Sequence, residues 1–209
     1  MSNHTAELAR LGSATVYEGG GRIGFVDADL VQVIPGSRVA GPARTVTCAQ
    51  GDNLMVHAAM AALQPGEVLV ITMPEPAPFA LFGGLLAIQA RVRGAAAVLV
   101  DAAVRDVDEL VADGPPTWTR WVRIQGAVKA TPGELDVPVT VGGAVIRPGD
   151  AVVLDADGVA VVSAEQVDEV LAGALEREAK EQAKGEKLAG GALSYDLDGL
   201  REKVEGATR

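Results

Sequence analysis

The chain has 209 residues, a length that suits one sizeable hydrophobic core better than two. Its hydrophobic fraction of 48% is ordinary for a globular protein, and no window approaches the roughly 18 consecutive apolar residues of a membrane span. The formal net charge of -10, the small aromatic content and the lack of a basic stripe argue against a nucleic-acid-binding protein.

The N-terminal region predicts two short helical segments. Residues 4–11 have a helical pattern, and Ser13 is a candidate N-cap for a segment over residues 14–17. Residues 1–11 contain no apolar stretch of signal-peptide length, so we expect a cytoplasmic protein. The glycines at positions 19–21 follow no clear strand and predict a turn rather than a dinucleotide-binding loop.

The next segments alternate between strand and helix patterns. Residues 39–48 predict a strand, and its Cys48, the single cysteine, is interpreted as a small buried hydrophobe because one cysteine cannot form an internal disulfide. Asp52 stands at a helix N-cap position before the apolar run over residues 54–63, and residues 67–72 predict a buried strand. After a proline-rich loop, Gly83 opens a helix that ends at Gly94.

A further strand over residues 96–100 and a helix over residues 104–111 continue this alternation, which predicts parallel strand pairing and an α/β core. Beyond Pro115 the pattern changes to short strands separated by Gly- and Pro-containing turns. They are predicted at residues 118–125, 137–141, 144–146, 151–155 and 159–162. Residues 167–187 predict an amphipathic helix whose apolar stripe could dock on a neighbouring subunit.

The turn formed by Gly83, Gly84, Leu85 and Leu86 is the first candidate for chemistry. The first amides of a helix have no partner within the helix, and the helix dipole adds partial positive charge there. Glycine allows a ligand to approach the backbone closely, so a carboxylate fits this position well. The alternative is that the two glycines only allow close packing of the helix on a sheet.

The pair Arg105 and Asp106 is the second candidate, because it follows a predicted strand at its carboxyl end, where α/β proteins usually bind ligands. Arg105 can hold a carboxylate, and Asp106 can supply a hard oxygen to Mg2+ or Mn2+. The alternative is a surface ion pair. Together the two candidates predict a site in which a 2-oxo acid chelates a metal on Asp106, meets the amides of Leu85 and Leu86, and has its enolate stabilised by Arg105.

Other chemistries have weaker support. The sequence contains no GxxxxGK[ST], HExxH or GxSxG pattern. His57 lies on an apolar helix and is interpreted as a satisfied core or interface histidine. A Schiff-base aldolase needs a desolvated lysine, for which Lys129 is the one plausible candidate, so we disfavour that mechanism.

Several stretches resemble the RraA-like family, which contains regulators of RNase E activity and aldolases that act on 4-hydroxy-4-methyl-2-oxoglutarate and 4-carboxy-4-hydroxy-2-oxoadipate. A spaced pattern of the family corresponds here to Gly84, then Arg105 and Asp106 after twenty residues, then Glu109. The similar stretches are residues 13–17 (SATVY), 39–46 (VAGPARTV), 51–53 (GDN), 83–87 (GGLLA), 93–94 (RG), 100–106 (VDAAVRD), 125–130 (QGAVKA), 137–139 (VPV), 148–150 (PGD) and 155–158 (DADG).

The resemblance implies a compact layered α/β/β sandwich of the swivelling-domain type over residues 1–163. A C-terminal helical arm over residues 164–209 is expected to pack on a neighbouring subunit of a homotrimer or homohexamer. It also implies that Gly83, Gly84, Leu85, Leu86 and Arg105 bind pyruvate, and that Asp106 holds Mg2+ or Mn2+. A glutamate of the neighbouring subunit's arm, Glu178 or Glu181, is expected to act on the metal through water.

The expected function is a class II aldolase that cleaves such substrates to pyruvate and a second 2-oxo acid, with oxaloacetate decarboxylase activity. Many of these aldolases carry an acid where this chain has Gly84, which removes one candidate for a base or a water-holding group. The alternative is a non-catalytic, protein-binding regulator of ribonuclease E activity. An S-adenosylmethionine-dependent methyltransferase is disfavoured, since the sequence has no convincing loop for that cofactor.

Overall fold

A computed structural model of the chain describes residues 2–206, with side chains described from residue 4 onward. The helices are α1 (Ser2–Leu11), α2 (Ser13–Gly19), α3 (Leu54–Ala62), α4 (Gly84–Val92), α5 (Val107–Asp113), α6 (Val167–Ala189), α7 (Ser194–Leu197) and α8 (Leu200–Glu205). The strands are β1 (Val31–Gln32), β2 (Val39–Thr47), β3 (Val68–Thr72), β4 (Ala80–Phe82), β5 (Ala97–Val104), β6 (Thr117–Val122), β7 (Glu134–Leu135), β8 (Val139–Val141), β9 (Ala144–Ile146), β10 (Ala151–Leu154) and β11 (Val159–Val162).

The main sheet has a parallel centre with antiparallel flanks. Its strand order is β1-β6-β5-β3-β2-β10-β11, in which β2, β3, β5 and β6 pair in parallel and β1, β10 and β11 pair antiparallel to their neighbours. The short strand β4 also pairs in parallel with the carboxyl end of β5. Every residue of β3 and β5 is buried, as expected for parallel strands covered on both faces. The predicted α/β core is therefore confirmed.

Three clusters of buried apolar side chains define the layers. Helices α3, α4 and α5 cover one face of the sheet, while the other face packs on the β8–β9 hairpin and on the curled end formed by β10 and β11. A third cluster joins α1, α2 and α6 to β10 and β11. This arrangement confirms the layered α/β/β fold with a helical C-terminal region.

Strand β5 is longer than predicted. It continues past residue 100 to Val104, and the helix predicted from residue 104 begins only at Val107. The extension forms because Ala103 and Val104 find partners on both sides, Ala80 and Phe82 of the unpredicted strand β4 and Trp121 and Val122 of β6. Small apolar residues such as those at positions 102–104 suit either structure, so strand pairing determines the outcome.

The predicted capping role of Ser13 is wrong. The N-cap of α2 is Gly12, and the Ser13 hydroxyl instead donates a 2.6 Å hydrogen bond to the buried Asp155 carboxylate, which also accepts the Ser13 amide. The N-cap of α3 is Asn53 rather than Asp52, although Asp52 Oδ1 does accept the Leu54 amide at 2.8 Å. Ser13 thus ties the start of α2 to a distant part of the chain, whereas Asp52 Oδ1 binds within the start of α3.

The C-terminal helix α6 has two unlike parts. Val170 and Ala174 are buried against α1 and α2 of the same chain, where Gly19 lets the helices meet closely; a Cβ at Gly19 would lie 2.5 Å from the Ala174 backbone. The second half of α6 and the residues that follow are mostly exposed.

Nowhere in residues 2–206 does a helix have the length and apolar character needed to cross a membrane.

Cys48 occupies the position expected of a small core residue. Its side chain is buried at the end of β2, and that burial raises the pKa of the thiol to about 12. A thiol of this kind stays protonated and packs as an apolar group.

Candidate functional site

A small cavity of about 160 Å³ lies where β4 and β5 end. The chain leaves β4 at Phe82 and enters α4 through Gly83, while it leaves β5 at Val104 and enters α5 through Arg105 and Asp106. The Arg105 amide donates to the Phe82 carbonyl at 3.1 Å, which holds these two exits side by side. The two sequence candidates therefore meet at one edge of the sheet.

The side chain of Asp106 connects the start of α5 with the start of α4. Its backbone has left-handed dihedral angles (φ 57°, ψ 48°) at the N-cap of α5, and its Oδ2 accepts the Gly84 amide at 3.0 Å. Arg105 Nε lies 3.7 Å from the same oxygen. Asp106 Oδ1 has no donor among residues 4–206 and the side chain is 43% exposed, so this oxygen is accessible to a ligand.

The two glycines at the start of α4 serve different purposes. A Cβ at Gly83 would lie 2.7 Å from Asp106 Oδ2 and 3.0 Å from Arg105 Cγ, so only glycine leaves room for this pair. A Cβ at Gly84 would make ordinary contacts of 3.5 Å with Asp106 Cβ and Glu109 Cβ. Gly83 therefore makes space for the charged pair rather than for helix–sheet packing.

The amides of Leu85 and Leu86 are available to a ligand. The first backbone bond of α4 runs from the Ala87 amide to the Gly83 carbonyl, and within the described chain neither the Leu85 nor the Leu86 amide has an acceptor. Both residues line the cavity together with Arg105. Two free amides beside a guanidinium provide the donors that a carboxylate requires.

Another wall of the cavity comes from α3 and from a loop over residues 125–131, and its lining residues Asn53, His57, Ala127 and Lys129 were not among the predicted site residues. The Asn53 amide donates to the Val128 carbonyl at 2.9 Å, and Asp52 Oδ2 accepts the amides of Ala130 and Thr131 at 2.7 and 2.8 Å. Burial alone would raise the pKa of Asp52, but its backbone donors and nearby Lys129 lower it overall. The ionised carboxylate thus fixes the loop on α3.

The same loop also covers Arg105. A Cβ at Gly126 would lie 2.7 Å from Arg105 Nη1, so the guanidinium passes directly beside this glycine. As a result Lys129 lines the same cavity as Arg105 and Asp106. The Lys129 side chain is exposed, whereas a Schiff-base lysine would have to be desolvated.

Asn53 and His57 carry polar atoms without partners. Asn53 is buried, its Nδ2 donates to the Leu81 carbonyl at 3.0 Å, and its Oδ1 has no partner in the described part of the chain. The buried Nε2 of His57 also has none there, which differs from the satisfied core histidine predicted. Burial and the nearby charge of Lys129 lower the pKa of His57, so its imidazole is neutral at pH 7.

The residues present fit a hard divalent cation held by few protein ligands. Across the described residues no group of three His, Cys, Asp or Glu side chains could enclose a metal. Mg2+ needs no such enclosure, because it often binds through one or two carboxylates together with waters and substrate oxygens. Asp106 offers the accessible Oδ1, and the Cβ atoms of Asp106 and Glu109 both lie 3.5 Å from the position that a Cβ would take at Gly84.

Glu178 and Glu181 do not line this cavity in their own subunit. Glu178 accepts hydrogen bonds of 2.6 and 2.7 Å from Arg10, and Glu181 pairs with Arg177 at 2.7 Å. Both lie on α6, which packs beside α1 and α2 rather than beside α4 and α5. Only another copy of the chain could bring either residue to the site, so their role stays a prediction.

Comparisons with known proteins point to one protein family. The family pattern described as RraA-like, Aldolase/RraA, matches residues 13–161. A protein of Halalkalibacterium halodurans, provisionally named as a 4-hydroxy-4-methyl-2-oxoglutarate aldolase, is 40% identical over 147 residues, which cover 70% of each chain.

Solved structures support the same assignment. Streptomyces coelicolor RraAS2, described as an unusual member of the RNase ES inhibitor RraA protein family, is 29% identical with a TM-score of 0.77, covering 88% of this chain and 96% of that one. An uncharacterized protein of Pseudomonas syringae shares the fold with a TM-score of 0.82 at 23% identity, over 92% of this chain and 91% of that one. The chain therefore belongs to the RraA-like, or Aldolase/RraA, family.

Proposed function

We propose that this protein is a divalent-metal-dependent (class II) aldolase. Its substrates are 2-oxo acids of the 4-hydroxy-4-methyl-2-oxoglutarate and 4-carboxy-4-hydroxy-2-oxoadipate type, which it cleaves to pyruvate and a second 2-oxo acid. It also decarboxylates oxaloacetate, because loss of CO2 gives the same pyruvate enolate. The observation that supports this proposal is that Arg105, Asp106 and the free amides of Leu85 and Leu86 surround one cavity.

The small size of the cavity suits the 2-oxo acid half of such a substrate. Its volume of about 160 Å³ is below that of most drug-sized binding pockets, which are about 300–1,000 Å³. The substrate carboxylate would accept hydrogen bonds from the amides of Leu85 and Leu86, with the Arg105 guanidinium beside them. The apolar side chain of Leu86 is 5% exposed and lines the same cavity.

Asp106, with Glu109 near it, would hold Mg2+ or Mn2+. When bound, such a cation supplies Lewis-acid chemistry that stabilises negative charge on the keto and carboxylate oxygens of the substrate. Arg105 adds a positive charge beside the same cavity. Breaking the C3–C4 bond leaves an electron pair on the 2-oxo acid half, and Arg105 stabilises the resulting enolate.

We also propose that the chain works as a homotrimer or homohexamer. Leu85, Ile88 and Val92 form an apolar stripe along α4, with exposures of 80%, 47% and 72%, and Leu85 borders the cavity. A stripe of this kind favours contact with another protein surface. A neighbouring subunit on this stripe would close the cavity and could bring its arm, with Glu178 or Glu181, toward Asp106.

The test is pyruvate formation from oxaloacetate and from 4-hydroxy-4-methyl-2-oxoglutarate, measured with Mg2+ through coupling to lactate dehydrogenase. Wild type should form pyruvate from both substrates, chelation of the metal should abolish it, and Asp106→Ala should lose it. Asp113→Ala is a matched control, because Asp113 is a 61% exposed carboxylate that pairs with Arg91 and does not line the cavity. Pyruvate formation at the background rate by the wild type would refute the proposal.

A second candidate is a regulator that binds an RNA-degrading enzyme. It is favoured by the likeness to Streptomyces coelicolor RraAS2 and by the net charge of -10, which could engage a basic partner. The distinguishing measurement is a binding assay with ribonuclease E. Tight binding that survives Asp106→Ala, in a protein that forms no pyruvate, would favour the regulator over the aldolase.

A further inference from the structure

Asn53 and His57 line the cavity, and each carries a buried polar atom that has no partner among residues 4–206. Asn53 is only 8% exposed, and its Nδ2 is anchored to the Leu81 carbonyl at 3.0 Å, which leaves Oδ1 as an acceptor. His57 is four residues further along the same helix side, and its Nε2 is buried. Buried polar atoms are rarely left unpaired in folded proteins, so this wall is suited to a polar ligand group.

The ligand group that pairs with this wall must donate a hydrogen bond. Asn53 Oδ1 can only accept, and Nε2 of a neutral imidazole with its proton on Nδ1 also accepts. The carboxylate and keto oxygens of a 2-oxo acid cannot donate. In the proposed substrates the hydroxyl on C4 is the donor, and it lies at the end of the molecule that must lose a proton for cleavage.

We propose that His57 is a catalytic residue that accepts the C4 hydroxyl proton through Nε2, with Asn53 beside it to orient the hydroxyl. This inference rests on the proposed aldolase function. It assigns to α3 the proton-transfer role that an acid at position 84 could have had, since Gly84 has no side chain.

The step balances without any additional reactant. The proton moves from the C4 oxygen to His57 Nε2, C4 and its oxygen form a carbonyl, and the C3–C4 bond breaks with its electron pair passing to the enolate beside Arg105. Protonation of C3 then gives pyruvate, and the imidazolium releases its proton, so no net proton is gained or lost.

The surroundings of His57 agree with this role. Of the charged groups that line the cavity, Lys129 and Arg105 are positive and Asp106 is negative. Burial and Lys129 lower the pKa of His57, which keeps the imidazole free to accept a proton at neutral pH. The Lys129 ammonium is also positioned to attract a second carboxylate on the C4 half of the substrate.

The experiment compares two reactions of the same enzyme. Cleavage of 4-hydroxy-4-methyl-2-oxoglutarate requires loss of a hydroxyl proton, whereas decarboxylation of oxaloacetate does not. His57→Gln keeps a polar side chain that cannot take up a proton, and His57→Ala removes the polar group entirely. Both should lower kcat for cleavage by about 10²-fold or more, the usual size of a lost general base, and leave kcat for decarboxylation within about threefold.

The outcomes separate this inference from the proposed function. An equal loss of both reactions in the two variants would overturn the role of His57 and leave the aldolase assignment intact. Wild-type-like cleavage in either variant would overturn it as well. A wild-type protein that forms no pyruvate from either substrate would instead refute the proposed function itself. Unfolding midpoints of wild type and both variants, measured in parallel, show whether either substitution disturbs the fold.

Discussion

The two walls of the cavity differ in the unpaired polar groups that they offer to a ligand. On the side of α4 and α5, Asp106 Oδ2 is bound to the Gly84 amide and the Arg105 amide is bound to Phe82. On the side of α3, Asn53 Oδ1 and His57 Nε2 have no partners among residues 4–206. The first wall is fixed by these bonds and leaves the amides of Leu85 and Leu86 and Asp106 Oδ1 free, whereas the second leaves two buried polar atoms that a ligand can pair.

This difference suggests that one wall binds the substrate and that the other takes part in the reaction. A wall that is already rigid can hold the 2-oxo acid half, which all substrates of the proposed class share, without reorganising. A wall with unpaired acceptors favours a ligand that brings a hydroxyl, and penalises one that lacks it. Helices α4 and α5 would therefore bind the half that all substrates share, and α3 would select among substrates by the half that varies.

The largest expected effect comes from Arg105→Ala, which removes the cation of the rigid wall. We expect kcat/KM for pyruvate formation to fall roughly 10²-fold. This corresponds to a loss of about 3 kcal/mol of transition-state stabilisation, as for loss of an oxyanion donor. The control is Arg123→Ala, because the Arg123 side chain is exposed just beyond β6 and, among the residues that the structure describes, donates to the Val122 carbonyl alone. An Arg105→Ala enzyme that keeps more than a third of the wild-type kcat/KM would contradict the assigned role.

A smaller effect is expected from Gly83→Ala, which tests whether the rigid wall depends on close packing. The added methyl group would meet Asp106 Oδ2 at 2.7 Å and displace the carboxylate. Activity should fall by roughly tenfold or more, since displacements near 1 Å can cost about 10²-fold. The matched control is Gly84→Ala, whose methyl group meets its neighbours at 3.5 Å and should leave activity near that of wild type. Equal effects of the two substitutions would be inconsistent with this account.

The smallest effect on catalysis is expected from Asp52→Asn, which acts on the α3 wall through the loop over residues 125–131. Asp52 accepts three backbone amides, so we expect the free energy of unfolding at pH 7 to fall by about 1–3 kcal/mol. Unfolding in denaturant at several pH values measures this loss.

The pH dependence of that loss follows from the lowered pKa of Asp52. A carboxylate with a lowered pKa in the folded state stabilises the protein fully above its unfolded pKa of about 3.9, and this stabilisation disappears as pH falls through the folded value. The difference between wild type and Asp52→Asn should therefore be largest at neutral pH and shrink below about pH 4. A difference of the same size at every pH would exclude the ionised carboxylate as its cause.

The sequence was sufficient to predict the rigid wall because that wall depends on local features. Glycines before a helix and a charged pair after a buried strand are visible as patterns, and the spacing between Gly84 and Arg105 links them. The α3 wall could not be predicted in the same way. The unpaired state of Asn53 and His57 depends on the Leu81 carbonyl and on the fold of the loop over residues 125–131, which are distant in sequence.

Predicted element boundaries failed where tertiary pairing overrode local preference. The predicted strand ends at Val100 and the next predicted helix begins at Val104, but pairing with β4 and β6 keeps the chain in β5 as far as Val104. Ser13 has the residue type of an N-cap, yet its hydroxyl binds Asp155, far away in the sequence.

The expectation that the C-terminal arm packs on a neighbouring subunit stays a prediction. Val170 and Ala174 of this arm are buried within the chain's own core.

The left-handed backbone of Asp106 limits how this protein could be re-engineered. Aspartate, asparagine and glycine tolerate such dihedral angles far better than most residues, while longer side chains are strained there. A saturation library at position 106 should therefore recover mainly asparagine and glycine as well-folded alternatives. A designer who wants a different metal preference would have to vary the neighbours of Asp106, since its turn accepts few other ligands.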